Sequence, residues 1–246
     1  MSITIITPVF NSSGTIRDCL RSIASQSVAC QHIIVDGGST DGTIELVKEE
    51  TAPGREWSTE PDQGMYDAIN KGLSRAAGDI VGVLNADDFY NKSNVLEKVV
   101  NAFSEPQIDA VYGDLLYVDR KDTSKVVRNW RSGDYRPERF YSGWMPPHPT
   151  FFLRRAIYQR YGSYRLDLGS AADYELMLRV LLKNRIRAKY IPQVMVRMRN
   201  DGVSNASLKN RINAHRNDRK AWRVNQIQPR PWTLFAKPVS KLGQWL

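Results

Sequence analysis

The first half of the chain alternates short β-rich runs with segments of helical periodicity, and this alternation constrains the fold more than any other feature of the sequence. Apolar runs that predict strands lie at residues 3–10, 32–36 and 79–84, with a shorter candidate at 56–60. Segments with apolar residues at helical spacing lie between and after these runs, at residues 15–26, 43–50, 65–76 and 94–103. Strands rich in Ile and Val that are joined by helices are typical of a sheet covered on both faces. The predicted fold class is therefore α/β, with a mostly parallel central sheet flanked by helices.

The pattern changes after residue 109, where hairpin-like segments replace the regular alternation. The sequence predicts two strands, then a loop rich in aromatic residues and proline, then a return to the sheet, at residues 110–119, 125–130, 135–149 and 151–152. Helices are predicted at residues 154–161, 174–183 and 207–224, one or two strands at 188–198, and a short tail helix from residue 232. We predict one main domain, 1–205, with halves 1–108 and 109–205, followed by a basic helical tail, 206–246.

The composition excludes several classes of protein. The chain has 246 residues, of which 41% are hydrophobic and 10% aromatic, which is enough for a full core and more than a disordered chain carries. Two cysteines, Cys19 and Cys30, are too few for a disulfide-dense scaffold or a Cys-rich zinc module, so we expect reduced thiols and a cytoplasmic protein. No apolar run approaches the roughly 18 residues of a membrane-spanning helix, and the first residues lack the layout of a signal peptide.

The net charge of +9 is unevenly distributed. Residues 176–246 carry 16 Lys and Arg against 2 Asp, a net charge of +14, and residues 1–175 carry 19 basic against 24 acidic residues, a net charge of −5. A basic tail can contact nucleic acid, an anionic membrane surface or only solvent. Composition alone leaves all three partners open.

Polar residues cluster directly after the predicted strands, at residues 8–11, 36–42 and 85–88, and at 62–64 before a helix. In an open α/β sheet, ligands bind beyond the carboxyl ends of the strands, so these turns form the candidate site. The sequence has neither a G-x-x-x-x-G-K-[ST] loop nor a G-x-G-x-x-G turn after the first strand, which argues against kinases, ATPases and ordinary dehydrogenases. Asp87 and Asp88 suit Mg²⁺ or Mn²⁺ beneath a diphosphate, because these cations prefer hard oxygen ligands. An Asx-turn or a helix N-cap is the alternative for this pair.

Five segments in order resemble the family 2 glycosyltransferases with the GT-A fold, over about residues 2–205. They are IITPVFN at 5–11, IIVDGGSTDGT at 33–43, EPDQGMYDAINKG at 60–72, LNADD at 84–88 and SAADYE at 170–175. The third segment is similar to one in a bacterial branch that builds surface polysaccharides. The resemblance implies that residues 1–108 bind a nucleotide sugar and that residues 109–205 bind the acceptor and supply the catalytic group.

The resemblance implies a donor site at the ends of the strands. Pro8 and Phe10 would pack on the nucleobase, and Asp36 would accept a hydrogen bond from it, with a plain turn residue as the alternative for Asp36. Gly64 would give the backbone a close approach to the nucleotide. Asn70 would lie in the same pocket, unless its amide is bonded locally in the helix.

The resemblance also implies a divalent cation, Mn²⁺ or Mg²⁺, as cofactor. Asn85 stands where the family has the first acid of its D-x-D pattern. Asp87 is therefore the better candidate for direct metal ligation, with Asp88 in support. The amide of Asn85 remains able to bond a ribose hydroxyl of the donor.

The implied reaction is attack of a sugar hydroxyl on the anomeric carbon of a nucleotide sugar, with loss of a nucleoside diphosphate and inversion at that carbon. Asp173 occupies the position of the catalytic base, where an ordinary N-cap or first-turn acid is the alternative. Glu175 is a supporting candidate.

Three further residues are candidates on the acceptor and phosphate side. His148 and Trp144 are expected near the acceptor, with a structural histidine and a core tryptophan as the alternatives. Arg199 lies in a segment at 197–204 that resembles a mobile loop over the diphosphate, and its guanidinium is a candidate for contacting phosphate oxygens.

The end of the tail has apolar residues at helical spacing, Phe235, Val239, Leu242 and Leu246. Such a helix is expected to lie in a membrane interface, where a lipid-linked acceptor would also be found. Docking of the helix on its own domain or on another subunit is an equal alternative.

The expected function is transfer of a sugar from a UDP- or GDP-type donor to a hydroxyl of a glycan or lipid-linked glycan, in the cytoplasm or on the cytoplasmic face of the inner membrane. A nucleotidyltransferase that makes nucleotide sugars is the first alternative, although residues 11–14 lack the basic residue expected to grip a triphosphate. A basic nucleic-acid-binding protein ranks last, because the sequence has no recognisable RNA-binding motif. We therefore expect no nucleic-acid partner.

Overall fold

The computed structural model of the chain describes residues 1–200 and 208–233. Its first half alternates strands and helices close to the predicted bounds. In chain order these are β1 (Ile3–Val9), α1 (Ile16–Ala24), β2 (Gln31–Asp36), α2 (Thr43–Glu49), β3 (Arg55–Thr59), α3 (Met65–Arg75), β4 (Ile80–Val83), β5 (Phe89–Tyr90) and α4 (Val95–Phe103).

The second half contains the predicted hairpin, a return strand, four helices and a long strand. These are β6 (Ala110–Val118), β7 (Val126–Trp130), α5 (Glu138–Tyr141), β8 (Phe152–Arg154), α6 (Arg155–Tyr161), α7 (Ala172–Met177), β9 (Ala188–Arg199) and α8 (Leu208–Val224). Short 3-10 turns span His148–Thr150 and Leu166–Ala171, and α7 continues into a π-helical turn at Leu178–Lys183.

The described strands form one nine-stranded sheet in the order β3-β2-β1-β4-β8-β6-β9-β5, with β7 paired to β6. Strands β1 to β4 pair in parallel, as do β6 and β9, whereas β8 is antiparallel to both β4 and β6. Because β8 runs opposite to both of its neighbours, β4 and β6 point in the same direction. The predicted fold class, α/β with a mostly parallel central sheet flanked by helices, is confirmed.

This topology brings the carboxyl ends of β1, β2, β3, β4, β6 and β9 to one edge of the sheet, which we call the carboxyl edge. At this edge Val9 pairs with Asp36, and Asp36 pairs in turn with Thr59. On the other side of β8, Val118 pairs with Arg199. The turns that follow β1, β2 and β3 are therefore neighbours in space, and so are the ends of β6 and β9.

Two glycines make room for neighbouring side chains. A Cβ atom on Gly72 of α3 would lie 2.5 Å from Cγ2 of Ile6 in β1, and one on Gly82 of β4 would lie 2.4 Å from Cε1 of Phe152 in the adjacent strand β8. All seven residues of β1 are buried. Burial on both faces is the reason why the strand reads as a continuous apolar run.

The structure adds details to the sequence predictions. The two-residue strand β5 was not predicted, and the stretch predicted as a loop at 135–149 contains α5 and the start of a 3-10 turn. The predicted helix at 207–224 is observed as α8, and two of its residues, Ala221 and Trp222, are buried in the same apolar cluster as Ile6. The predicted boundary at residue 205 and most of the predicted tail helix lie outside the described residues. Among the helices that are described, none combines the length and the apolar character needed to cross a bilayer.

A buried histidine in β2 predicts how the free energy of unfolding depends on pH. His32 is 2% exposed; its Nδ1 accepts a hydrogen bond from Arg55 at 3.2 Å, and its Nε2 lies 3.0 Å from the Thr7 hydroxyl. Burial, followed by the charge of Arg55, lowers its pKa from 6.5 to about 3. Between pH 6.5 and about 3, the unfolded chain therefore binds a proton at His32 that the folded chain does not. As the pH falls through this window, His32 lowers the free energy of unfolding.

We expect the free energy of unfolding to lose up to about 1.4 kcal/mol per pH unit from this group across that window. Urea unfolding at a series of pH values measures the slope. The variant His32→Gln, which cannot titrate, controls for the carboxylates that also act in acid. Identical slopes in the two proteins would show that His32 does not contribute.

Candidate active site

The turn after β1 presents an exposed aromatic ring at the carboxyl edge. Pro8 is buried in the strand, whereas Phe10 is 62% exposed. Asn11 has a positive φ of 45°, and its side-chain oxygen accepts a hydrogen bond from the backbone N–H of Thr40 at 2.9 Å. The turns after β1 and β2 are thereby fixed to each other. The exposed ring of Phe10 is available to a planar ligand group, whereas the role of Pro8 in the pocket stays a prediction.

The carboxylate of Asp36 is directed into the turn that follows β2. It is 0% exposed and accepts hydrogen bonds from the N–H groups of Gly38 and Ser39, each at 3.0 Å, and from the hydroxyls of Ser39 and Thr59. This arrangement matches the turn role that was the alternative for this residue. A hydrogen bond from a nucleobase to Asp36 would have to add to these internal bonds or replace one of them. The predicted role of Asp36 in binding the nucleotide sugar stays a prediction.

Helix α3 begins at the carboxyl edge and contributes two of the predicted donor residues. Gly64 precedes the helix with a φ of 107°, and no atom lies within 4 Å of the position that its Cβ would occupy. Asn70 binds the backbone of Tyr164 twice: its Oδ1 accepts from the N–H at 3.0 Å, and its Nδ2 donates to the carbonyl at 2.8 Å. The amide is therefore not bonded locally, and it ties α3 to the segment that carries Tyr164.

The turn after β4 holds two carboxylates beside each other. Asp88 is 0% exposed, and burial followed by the negative charge of Asp87 raises its pKa well above the ordinary value. Asn85 Nδ2 donates to Asp88 Oδ2 at 3.1 Å, and the N–H of Asp88 donates to the Asn85 carbonyl at 3.0 Å, so a local turn is present. The N-cap of the following helix α4 is Asn94, and the alternative of an N-cap role for the pair is therefore wrong.

This turn has oxygen atoms that fit a divalent cation. The buried atoms Asn85 Oδ1 and Asp88 Oδ1 have no hydrogen-bond partner among the described residues, and Asp87 is partly exposed beside them. Such hard oxygen donors are the ligands that Mg²⁺ and Mn²⁺ prefer. Within residues 1–200 and 208–233, no three His, Cys, Asp or Glu side chains are grouped closely enough to hold a metal by themselves. A cation at this turn would need ligand oxygens, such as those of a diphosphate, to complete its coordination.

Arg199 ends β9 next to this turn and is held by the protein. It is 4% exposed, donates through Nη1 to the Asp87 carbonyl at 2.7 Å, and forms an ion pair with Asp18. Its guanidinium also lies 5.1 Å from the ring centre of Phe89. The predicted contact with phosphate would require release from these partners. Residues 201–204 of the predicted loop lie outside the part of the chain that is described.

Asp173 lies in the first turn of α7, partly exposed, and accepts a hydrogen bond from the N–H of Tyr174 at 2.7 Å. Two side chains from other elements face it. Burial raises the pKa of Tyr66 well above its ordinary value, and the charge and hydrogen bonding of Asp173 add to this effect. Burial lowers the pKa of His148, and the charge of Asp173 opposes the change. His148 Nε2 lies 2.9 Å from the hydroxyl of Tyr164, so His148 is close to Asp173 but is also a structural partner.

Two predicted supporting residues lie in the core. Trp144 is 8% exposed, its Nε1 donates to the Ser132 carbonyl at 2.9 Å, and Phe140 packs edge-on against it at 5.5 Å. Glu175 is 1% exposed and forms a two-point ion pair with Arg179. The alternative of a core tryptophan describes Trp144 correctly. Stacking of Trp144 on a sugar would need ring surface that the core covers.

The carboxylates of Asp88 and Asp173 both act on Tyr117, near the end of β6. Burial raises the pKa of this phenol, the nearby guanidinium of Arg128 opposes the rise, and the charges of Asp88 and Asp173 both add to it. Both carboxylates therefore lie within electrostatic range of one hydroxyl.

The sequence analysis missed three tyrosines of the candidate site, Tyr66, Tyr117 and Tyr164. Tyr66 and Tyr164 stack with ring centres 5.4 Å apart, and Tyr164 also contacts His148. Tyr66 lies in the segment EPDQGMYDAINKG that carried the resemblance, which was the one signal for it. Tyr117 and Tyr164 have no comparable local signal, because their role depends on partners far away in the chain.

Comparison with known sequences identifies glycosyltransferases as relatives of this chain. The sequence model of Glycosyl transferase family 2 matches residues 4–162, so Asp173 and Arg199 lie beyond the matched range. A PGL/p-HBAD biosynthesis glycosyltransferase of Mycobacterium bovis is 30% identical over 213 residues, which cover 82% of this chain and 78% of that protein. An uncharacterised glycosyltransferase of Mycobacterium tuberculosis is 30% identical over 185 residues, which cover 74% of this chain and 69% of that protein.

Solved structures show the same fold. TarS 1–349 of S. aureus in complex with UDP-GlcNAc matches with a TM-score of 0.70 at 18% identity, over 92% of this chain and 65% of that one. This chain spans 39% of the TarS chain in another crystal structure. The mannosyltransferase PcManGT from Pyrobaculum calidifontis, in complex with GDP-Man and Mn²⁺, matches with a TM-score of 0.67 at 21% identity, over 96% of this chain and 68% of that one. At these identities the likeness concerns the fold alone, which is the GT-A fold.

These comparisons do not favour a nucleotidyltransferase or a nucleic-acid-binding protein. The family match spans more than half of the chain, and the aligned regions cover more than two thirds of both curated relatives. The fold, the strand-end site and the relatives lead to one conclusion: the chain belongs to glycosyltransferase family 2.

Proposed function

We propose that the protein is an inverting glycosyltransferase that moves a sugar from a nucleotide-sugar donor to a hydroxyl of a glycan or lipid-linked glycan. The observation that carries the proposal is that Asp88 and Asp173 both lie within electrostatic range of Tyr117, near the end of β6. A transferase of this kind needs one acidic group near the departing diphosphate and another near the incoming hydroxyl. Two acids near one hydroxyl at the carboxyl edge support this pair of roles.

For the donor, we propose a nucleotide sugar whose base stacks on Phe10 and whose diphosphate reaches the turn at Asp87. The exposed ring of Phe10 and the turn after β4 lie at the ends of neighbouring strands, β1 and β4. Relatives of the same fold have been crystallised with UDP-GlcNAc and with GDP-Man, which supports a sugar linked to a nucleoside diphosphate. Pro8, Asp36, Gly64 and Asn70 are proposed to shape the pocket rather than to react.

For the cofactor, we propose a divalent cation, Mn²⁺ or Mg²⁺, held by Asp87 and Asp88 with the amide oxygen of Asn85 nearby. Bound there, the cation would neutralise the charge that develops on the leaving diphosphate. The unpartnered oxygens of Asn85 and Asp88 support this assignment. The Mn²⁺ in the PcManGT complex supports it by analogy of fold.

For the reaction, we propose that Asp173 is the general base. Its carboxylate takes the proton from the acceptor hydroxyl as the oxygen attacks the anomeric carbon, and the bond from that carbon to the diphosphate oxygen breaks. A single displacement of this kind inverts the anomeric centre. The partial exposure of Asp173 lets an acceptor reach it, and Tyr66 and His148 line the same region.

For the acceptor, we propose a growing glycan in polysaccharide or glycolipid biosynthesis, presented at a membrane surface. The name of the Mycobacterium bovis relative, a PGL/p-HBAD biosynthesis enzyme, supports this class. Arg216, Arg219 and Arg223 are exposed along one face of α8, and Trp232 beyond it is 54% exposed. Basic residues beside an exposed tryptophan suit an anionic lipid surface on the cytoplasmic side.

A donor panel tests the proposed activity. The full chain is incubated with UDP-, GDP- and dTDP-linked sugars, with Mn²⁺, Mg²⁺ or a chelator, and released nucleoside diphosphate is measured. We expect one donor to be turned over, faster with a divalent cation than with chelator. Hydrolysis of the donor by water serves as the readout until an acceptor is found, and the anomeric configuration of the product reports inversion. Release from no donor under any condition would contradict the proposal.

A further inference from the structure

Helix α8 packs one face against the segment that carries Asp173. On this face Ala221 and Trp222 are 0% exposed and Asn225, which follows the helix, is 3% exposed. The opposite face carries the exposed residues Arg219 and Arg223. Because these side chains are buried, the part of α8 that carries them packs on the core of the protein.

The buried face binds both residues that follow Asp173. Trp222 Nε1 donates a hydrogen bond to the hydroxyl of Tyr174 at 3.0 Å, and Asn225 Nδ2 donates to Glu175 Oε1 at 3.1 Å. On the other side of Asp173, the ammonium of Lys220 donates to the Asp167 carbonyl at 2.8 Å and pairs with its carboxylate at 2.9 Å. The C-terminal helix therefore holds this segment before and after the proposed base.

Glu175 connects this contact to the rest of the site. Its buried carboxylate accepts from Arg179 at 3.0 and 2.9 Å as well as from Asn225. Arg179 also donates to the carbonyls of residues 161, 162 and 163, which directly precede Tyr164, the partner of His148. Burial of a carboxylate costs free energy unless the group is fully paired. Loss of one partner of Glu175 should therefore shift the positions of its remaining partners.

We propose that α8 fixes the first turn of α7, and that Asn225 and Trp222 are positioning residues for Asp173. The inference rests on the proposed role of Asp173 as base. A misplacement of about 1 Å in a reacting group can cost about 100-fold in rate. Removal of the Asn225 amide leaves Glu175 paired with Arg179, so the turn stays helical but keeps only the Trp222–Tyr174 bond to α8.

Two variants test the proposal in the full chain. Asn225→Ala removes the bond to Glu175, and Trp222→Phe removes the indole N–H together with part of the ring while keeping an aromatic ring in place. The control is Gln228→Ala, at an exposed residue shortly after the same helix. For each protein, kcat and donor KM are measured with the sugar found in the donor panel, together with the melting temperature and hydrogen–deuterium exchange of peptides covering residues 166–177.

We expect kcat to fall about tenfold or more in Asn225→Ala and in Trp222→Phe, with donor KM unchanged, because only the base is displaced. In both variants, hydrogen–deuterium exchange at residues 172–177 should become faster. Exchange in β1 and β4 should be the same as in the protein without substitutions. Gln228→Ala should match the unchanged protein in every measurement.

An unchanged kcat, or unchanged exchange at residues 172–177, in a folded variant would overturn the proposal, as would an equal loss in Gln228→Ala. If Asn225→Ala does not fold, Trp222→Phe decides by the same two measurements. If the unchanged protein turns over no donor, the proposed function has failed, and exchange at residues 172–177 alone decides whether α8 fixes the turn.

Discussion

Asp173→Asn is expected to lower kcat by about 10²–10⁴-fold, the range that general acid–base catalysis contributes. The amide keeps the shape of the carboxylate but cannot accept the proton of the acceptor hydroxyl. Donor affinity should stay unchanged, because we propose Asp173 for the acceptor side and the turns after β1, β2 and β4 for the nucleotide. Released nucleoside diphosphate measures turnover, and calorimetric titration with UDP or GDP, whichever the donor panel identifies, measures donor binding.

The matched control for this change is Asp122→Asn in the exposed turn between β6 and β7, where the same chemical change should leave turnover as it is. Normal turnover by Asp173→Asn would remove Asp173 from the mechanism. A parallel loss of nucleotide binding would instead place this residue in the donor pocket.

Asp87→Ala is expected to weaken the metal-dependent part of nucleotide binding. Removing an outer-shell partner of a metal ligand typically costs about 10- to 100-fold in metal affinity, and the loss of a direct ligand should cost at least as much. Asp87 is the partly exposed carboxylate of the turn, next to the unpartnered oxygens of Asn85 and Asp88. Titration of the nucleoside diphosphate with and without Mn²⁺ measures the effect.

The same titration contains its own control. With a chelator present, the unchanged protein and Asp87→Ala should bind the nucleotide with similar affinity, because the base and ribose contacts are untouched. If Mn²⁺ strengthens binding equally in both proteins, Asp87 is not a metal ligand. If Mn²⁺ strengthens binding in neither, the proposed cofactor is wrong.

Most of the fold was predictable because each element is specified by its own residues. β1 reads as a strand from seven consecutive residues that are all buried, and α3 reads as a helix from apolar residues at helical spacing. β5 was missed for the opposite reason. Its two residues, Phe89 and Tyr90, form a strand only because they pair with Arg197 and Val196 of β9. A strand that depends on so distant a partner leaves no periodic signal.

The site was predictable as a set of turns but not as a set of contacts. The rule that ligands bind at the ends of strands places the candidate site at the carboxyl edge of the sheet, and this placement stays a prediction. The partners of the charged groups, however, come from far along the chain. Arg199 contacts Asp87 at a separation of 112 residues and Asp18 at 181, and Glu175 contacts Asn225 at 50. Burial of such pairs depends on the whole fold, and no local pattern encodes it.

The buried face of α8 also sets where the chain can be shortened for expression. A protein ending at residue 162, where the family match stops, would lack α7 and β9, and one ending at residue 205 would lose Trp222 and leave Tyr174 and Glu175 uncovered. Newly uncovered aromatic surface favours aggregation. Thr233 still donates to the Tyr141 carbonyl at 2.9 Å. A soluble fragment should therefore extend past residue 233.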